Sequence, residues 1–332
     1  MSAETQSRPV PTATGSIEFH PTDRPATDAA QHVDYDVAVI GAGPAGLSAT
    51  LNLVRARRRT ILLDSNRPRN AATFHSHGFI TRDGISPLEL RKLARQELEE
   101  YPHYEFHQTM VVSVENVDGA FLISTKGPGF EKRQYRARAL VVGTGVTEVM
   151  PALPTLRAFY GTSIHSVIEA NGYEERDKPI AVIGETGDLA ERAILLTQWS
   201  DDIILFTNGV GELSESDVAE LARRGIRIDR RVLVDVAGDH TGLTGIVTAD
   251  GETVPRAAAF VRPRYVAGLG YLEALHLDVD ADGFARVDAE GRSSVAGVYV
   301  AGDSAAPGPR QLIVAAGQGA RVAAALNRDL LG

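Results

Sequence analysis

Three glycines spaced as Gly41-x-Gly43-x-x-Gly46 follow a short β-branched run, Tyr35 to Ile40. This junction restricts the fold more than any other part of the chain. After it, Leu47 to Arg57 has the small-residue pattern of a helix. Thr60 to Leu63 is a second apolar run, and it ends on Asp64, 23 residues beyond Gly41. Strand, glycine turn, helix, strand and acid in that order make the βαβ unit of a dinucleotide-binding fold. The first glycine permits the tight turn, the second lets backbone approach a pyrophosphate, and Gly46 lets helix and strand pack closely. The helix start adds free N–H donors and the positive end of a dipole. A carboxylate at Asp64 can accept both ribose hydroxyls of an adenosine and repels a 2′-phosphate.

A weaker copy of this order starts near Pro179. Ile180 to Ile183 reads as a strand, Gly184 to Ala190 as a turn, Glu191 to Trp199 as a helix and Ile203 to Phe206 as the next strand. Between the two units, Pro87 to Tyr101 has helical spacing, with its leucines set against Arg, Lys, Gln and Glu. Val111–Val117 and Gly119–Thr125 read as a hairpin turning at Asp118-Gly119. Ala139 to Val142 runs into Gly143-Thr144-Gly145, and Val298 to Ala301 runs into Gly302-Asp303. The chain closes on an alanine- and glycine-rich helix pattern, Gln311 to Leu326. Two such units in 332 residues predict two nucleotide-type domains.

Composition limits the chemistry. The chain has no cysteine, which excludes thiolate nucleophiles, disulfides, thiol-ligated zinc and Cys-x-x-Cys redox centres. Redox work then falls to a bound cofactor. The same count fits a reducing compartment, so the expected location is cytoplasmic. A net charge of −9 argues against nucleic acid or anionic membrane as partners. No stretch of about 20 apolar residues predicts a membrane span. Residues 1–33, rich in Pro, Thr, Ser and Asp, read as a flexible tail without a signal-peptide core. Asp278, Asp280 and Asp282 alternate like a calcium loop but lack the glutamate at its twelfth place, so no metal site is expected.

The glycine fingerprint, Asp64, Gly143–Gly145 and the run Val298 to Asp303 together resemble the two-dinucleotide flavoproteins. The nearest likeness is to the low-molecular-weight thioredoxin reductases, and among them to the branch containing the dithiol oxidases of epidithiol biosynthesis. Pro68-Arg69-Asn70, the stretch His77 to Gly84, Pro87 to Leu90, Gly172-Tyr173-Glu174 and Gln198-Trp199-Ser200 carry that closer likeness. The resemblance implies a three-layer, Rossmann-like α/β fold that binds FAD and NAD(P). Its FAD domain would comprise residues 34–150 and 268–332, with a nucleotide domain, 151–267, inserted between them. It places FAD on Gly41, Gly43, Pro44, Ala45, Gly46, Asp64, Arg69, Asn70, His77, Val112, Gly143, Thr144, Gly145, Gly302, Asp303, Gln311 and Leu312. A homodimer is implied as well.

Two departures follow. The family's Cys-x-x-Cys falls on Val167 and Ala170, so exchange with a disulfide or dithiol is not available. In the second unit Thr186 stands where the middle glycine is expected, between Gly184 and Gly187, with Glu185 and Asp188 adding negative charge. That argues against NADPH and, less strongly, against NADH. His165 and Glu169, four apart around the lost thiols, form an acid–base pair on one face if the stretch is helical. His77 is the other catalytic candidate. Three functions stay open: an FAD oxidoreductase acting directly on a small substrate or redox-protein partner, an NAD(P)H-dependent flavin reductase for a quinone or ferredoxin, and a non-catalytic FAD binder.

Overall fold

The computed structural model describes residues 33–305 and 308–332. The expected tail, Val33 apart, lies outside the described residues. β1 (Tyr35–Ile40) enters the glycine turn, and α1 (Pro44–Arg55) leaves it with proline in its first turn, where no intrahelical N–H is needed. Then come β2 (Thr60–Asp64), α2 (Pro87–Glu99), β3 (Tyr104–Gln108), β4 (Met110–Val117), β5 (Ala120–Lys126) and β6 (Lys132–Val142). The strand order is β3-β2-β1-β6-β5-β4, parallel from β3 to β6 and antiparallel beyond. The β4–β5 hairpin turns at Asp118 and Gly119, both at positive φ, as a two-residue turn of this kind requires.

β7 (Val146–Val149), α3 (Leu156–Phe159), β8 (Ile164–His165) and α4 (Ile168–Asn171) carry the chain into a second layer system. There β9 (Ile180–Ile183), α5 (Leu189–Leu196), β10 (Ile203–Phe206), α6 (Glu215–Arg223) and β11 (Arg227–Asp229) repeat the strand–helix alternation. β12 (Leu233–Asp239), β13 (Gly242–Thr248) and β14 (Thr253–Pro255) form an antiparallel sheet, and β15 (Ala258–Val261) returns to the parallel one, ordered β11-β10-β9-β15-β8. β16 (Arg264–Ala267) runs back antiparallel to β7. β17 (Val298–Val300) then joins β6 in the first sheet, and α7 (Leu312–Asp329) ends the fold.

Alternation along each central strand splits the core. Val37 and Val39 face α1 and α7, whereas Ala38 and Ile40 face Phe121, Ile123, Leu272 and Leu275. In the second sheet Ile180 and Val182 pack on α5, and Ala181 and Ile183 pack on β12 and β13. Both sheets are thus covered on two faces, which is why their strands read as unbroken apolar runs. α1 and α7 touch at backbone level: a Cβ on Gly319 would lie 2.0 Å from the Ala45 carbonyl oxygen.

Candidate functional site

The carboxyl ends of β1, β2 and β6 open onto a cleft of about 640 Å³. Its walls gather residues far apart in sequence: Gly41, Gly43, Pro44 and Ala45; Asp64, Arg69 and Asn70; Gly143, Thr144 and Gly145; Gly302, Asp303, Gln311 and Leu312. A cleft at the ends of parallel strands, where the order reverses about β1, is where open α/β sheets take ligands.

The three fingerprint glycines differ in what they touch. Gly41 has φ +100°, and a Cβ there would stand 2.5 Å from the Gly143 carbonyl oxygen. Gly46 faces the protein, because a Cβ would meet the Gly41 carbonyl oxygen at 1.8 Å, so it sets packing and does not line the cleft. A Cβ on Gly43 would find the Gly143 carbonyl oxygen nearest, at 4.0 Å. The protein therefore has no packing need for that glycine. The open space in front of it, at the start of α1, fits a pyrophosphate.

Asp64 is already engaged. Its Oδ1 accepts from the Ala42 amide at 2.9 Å, and its Oδ2 accepts from the Asn66 amide at 2.9 Å and Arg91 Nη2 at 2.6 Å. A carboxylate has about four acceptor positions, so roughly one is left for a ribose, not the two expected. Arg91, read in sequence as part of the polar face of α2, is buried; its Nε also donates to the Ala42 carbonyl. Val112 is exposed and is not on the cleft wall, where Thr109, Met110 and Val111 stand. The Thr109 hydroxyl on the cleft wall is buried without a partner. Open space at Gly43 and the unpartnered Thr109 hydroxyl on the wall fit an extended, polar dinucleotide such as FAD.

A smaller pocket of about 100 Å³ adjoins this cleft, sharing Arg69, Asn70, Arg310, Gln311 and Leu312 with it. Val167 and Ala170 line it, as do His75, His77, His165 and Glu169. His77 thus belongs to this pocket and not to the cleft; its ring nitrogens lie 3.5 Å from Asp83 and from Glu174. The helical pairing of His165 with Glu169 does not occur. His165 ends β8, Val167 caps α4, and only Glu169 is on the helix, so the two do not share a helical face. His165 instead meets Glu175 at 3.0 Å, and Lys178 holds the other Glu175 oxygen at 2.6 Å. Burial works to raise the Glu175 carboxyl, but hydrogen bonds from His165 and Lys178 outweigh it and hold the carboxyl below its ordinary value.

An ion-pair network frames the boundary between cleft and pocket. Arg69 bonds Glu148 at 2.8 Å and Asp303 at 3.0 Å. Although burial opposes its charge, these two carboxylates raise its hold on the proton. The Tyr160 hydroxyl donates to Glu148 at 2.7 Å. Burial first, then Glu148, pushes that phenol up. None of Arg91, Thr109, Glu148, Tyr160 or Arg310 carries a local sequence signal.

The side chains of the second fingerprint, Gly184 to Gly187, are tied to residues around it. Thr186 donates to Asp188 at 2.5 Å, Arg262 holds the other Asp188 oxygen at 2.7 Å, and Asn208 donates to Glu185 at 2.6 Å. Two carboxylates thus stand at the start of α5, where a second pyrophosphate would need N–H donors and positive charge. The residues present do not fit one.

Comparison with known proteins agrees with this architecture. The family described as pyridine nucleotide-disulphide oxidoreductase matches residues 35–319. The "Probable thioredoxin reductase" of Arthroderma benhamiae is 35% identical over 195 residues, 57% of this chain and about half, 47%, of its own length. "Thioredoxin reductase tcpT" of Claviceps purpurea is 30% identical over 285 residues, 82% of this chain and 87% of that one. The crystal structure of an oxidoreductase from Agrobacterium tumefaciens is 31% identical with a TM-score of 0.81, over 90% of this chain and 98% of that one. Thioredoxin reductase-like members of the family bind FAD and NADPH. The chain belongs to the pyridine nucleotide-disulphide oxidoreductase family, as a two-domain, thioredoxin reductase-like, FAD-dependent oxidoreductase without cysteine.

Proposed function

We propose that this protein oxidises a small substrate seated directly against FAD, with no disulfide relay. The observation that carries this is the pocket beside Val167 and Ala170, which shares five wall residues with the cofactor cleft. Where the family's thiols fall by resemblance, this chain has two apolar side chains around a space.

FAD, when bound, supplies two-electron redox chemistry. Gly41, Gly43, Ala45 and the start of α1 hold its pyrophosphate. Asp64, kept in place by Arg91, takes a ribose hydroxyl. Gln311 and Leu312 border the boundary with the pocket, and the substrate enters beside Val167. His75, His77, His165 and Glu169 are among the titratable groups on the pocket walls able to move a proton. Dioxygen or a redox-protein partner would be the electron acceptor. The FAD domain comprises residues 34–150 and 268–332 and the inserted domain 151–267, in a cytoplasmic homodimer. Among the described residues no helix is long and apolar enough to cross a membrane.

Dithiothreitol in air tests the reading. The purified holoprotein is expected to show no dithiol-dependent oxygen uptake, and the double variant V167C/A170C to acquire some. Sustained dithiol turnover by the cysteine-free chain would overturn it.

A further inference from the structure

We infer that the pocket beside Val167 and Ala170 takes a small organic carboxylate with an apolar body, received by the guanidinium of Arg310. The inference rests on reading that pocket as the substrate site.

Arg69 and Arg310 are the two arginines on the pocket walls. Arg69 is committed to Glu148 and Asp303. Arg310 has no carboxylate partner among the described residues, and its Nε is buried without any hydrogen bond. The Tyr265 ring lies 3.9 Å from its guanidinium carbon, and the Phe284 ring lies 5.5 Å away. Stacking occupies the flat face of a guanidinium and leaves the N–H donors along its edge unused. A carboxylate is the group whose two oxygens match that edge. The cation is therefore held in one plane before anything binds.

Charge and shape narrow the ligand. A partly buried cation without a counterion is costly, and an anion removes that cost. Burial weakens the hold of Arg310 on its proton; Tyr265 and Asp303 act the other way, and Arg262 and Arg69 add to the weakening. Among the described residues Arg310 is the one arginine of the pocket without a carboxylate partner, and Glu169 on the wall is exposed, so a monoanion suits it better than a dianion. Val167, Ala170 and Leu312 supply the apolar wall. Arg310 also borders the cofactor cleft, so a carboxylate bound there lies at the boundary with FAD.

The test uses the FAD-loaded full chain. Benzoate is titrated in one arm and inorganic phosphate in the other, each followed by the visible absorbance of the bound flavin. Benzoate is expected to give a saturable change, with phosphate much weaker. R310Q is expected to keep its FAD and resting spectrum but lose benzoate affinity at least about tenfold, in line with a charge-assisted contact. R310K, which keeps charge without the planar edge, should fall between. No benzoate response, equal binding of phosphate, or loss of FAD from R310Q and R310K would each overturn the inference. A170L separates the two claims. If A170L blocks benzoate and R310Q does not, the pocket reading stands and the role of Arg310 falls. If benzoate binds A170L as it binds the native chain, the pocket reading itself falls.

Discussion

Asp64 shows how a residue can be placed by the sequence and still be understood only in three dimensions. Its position after β2 marks it as a ribose ligand, yet most of its acceptor capacity is spent on Ala42, Asn66 and Arg91. It anchors the glycine turn as much as it receives a ligand. Asp64→Ala leaves Arg91 charged and buried without its counterion and is expected to cost about 3 kcal/mol of stability, measured by urea unfolding. Gly43 makes the opposite case. Gly43→Ala meets no protein atom closer than 4.0 Å, so unfolding of the FAD-free chain should change by less than about 0.5 kcal/mol. Its FAD affinity should fall at least about tenfold, since the added methyl enters the pyrophosphate space. Glu175 sets an acid-side dependence. Its folded carboxyl lies below the ordinary value of 4.5 because His165 and Lys178 bond it against the effect of burial. That contribution is fully present above the ordinary value and is lost as pH falls through the folded one. Urea midpoints taken from about pH 5 down to about pH 3 should fall more steeply for the native chain than for Glu175→Gln.

Elements explain what was legible and what was not. The βαβ unit, the hairpin at Asp118-Gly119 and the closing helix follow from local patterns, because turn geometry and burial on both sheet faces leave marks on neighbouring residues. The segment from Ile164 to Asn171 does not. It divides into a two-residue strand, a bend at Val167 and one helical turn, since Ile164 and His165 pair with Ala259 and Phe260 on β15. That pairing joins residues almost a hundred positions apart, and nothing near His165 announces it. Arg91 and Arg310 were illegible for the same reason: a charged residue in a helical pattern or a loop reads as solvated until another element covers it. The contact of α1 with α7 leaves no room for an added side chain. Gly319→Ala puts a methyl 2.0 Å from a backbone oxygen, so the helices must separate, at a cost of about 1–3 kcal/mol. A lower melting temperature with weaker FAD retention is the expected result, because α1 also presents the pyrophosphate turn.

For the whole molecule, the fold and the outline of the FAD cleft were readable from glycines, Asp64 and the Gly302-Asp303 junction, all of which act through the backbone. The reaction was not, because it depends on which side chains meet across the cleft and the pocket. The structure brings together an open first dinucleotide turn, a second one whose Thr186 is tied to Asp188 and through it to Arg262, and a thiol-free pocket beside the first. The central claim is that FAD is the only redox centre and takes its electrons at that pocket, not from a nicotinamide. An anaerobic titration of the purified FAD-loaded protein, read by visible absorbance, tests this most directly. NADH and NADPH at millimolar concentration should leave the flavin oxidised, and dithionite should then bleach it with two electrons per chain. Rapid, stoichiometric bleaching by either nucleotide would contradict the account.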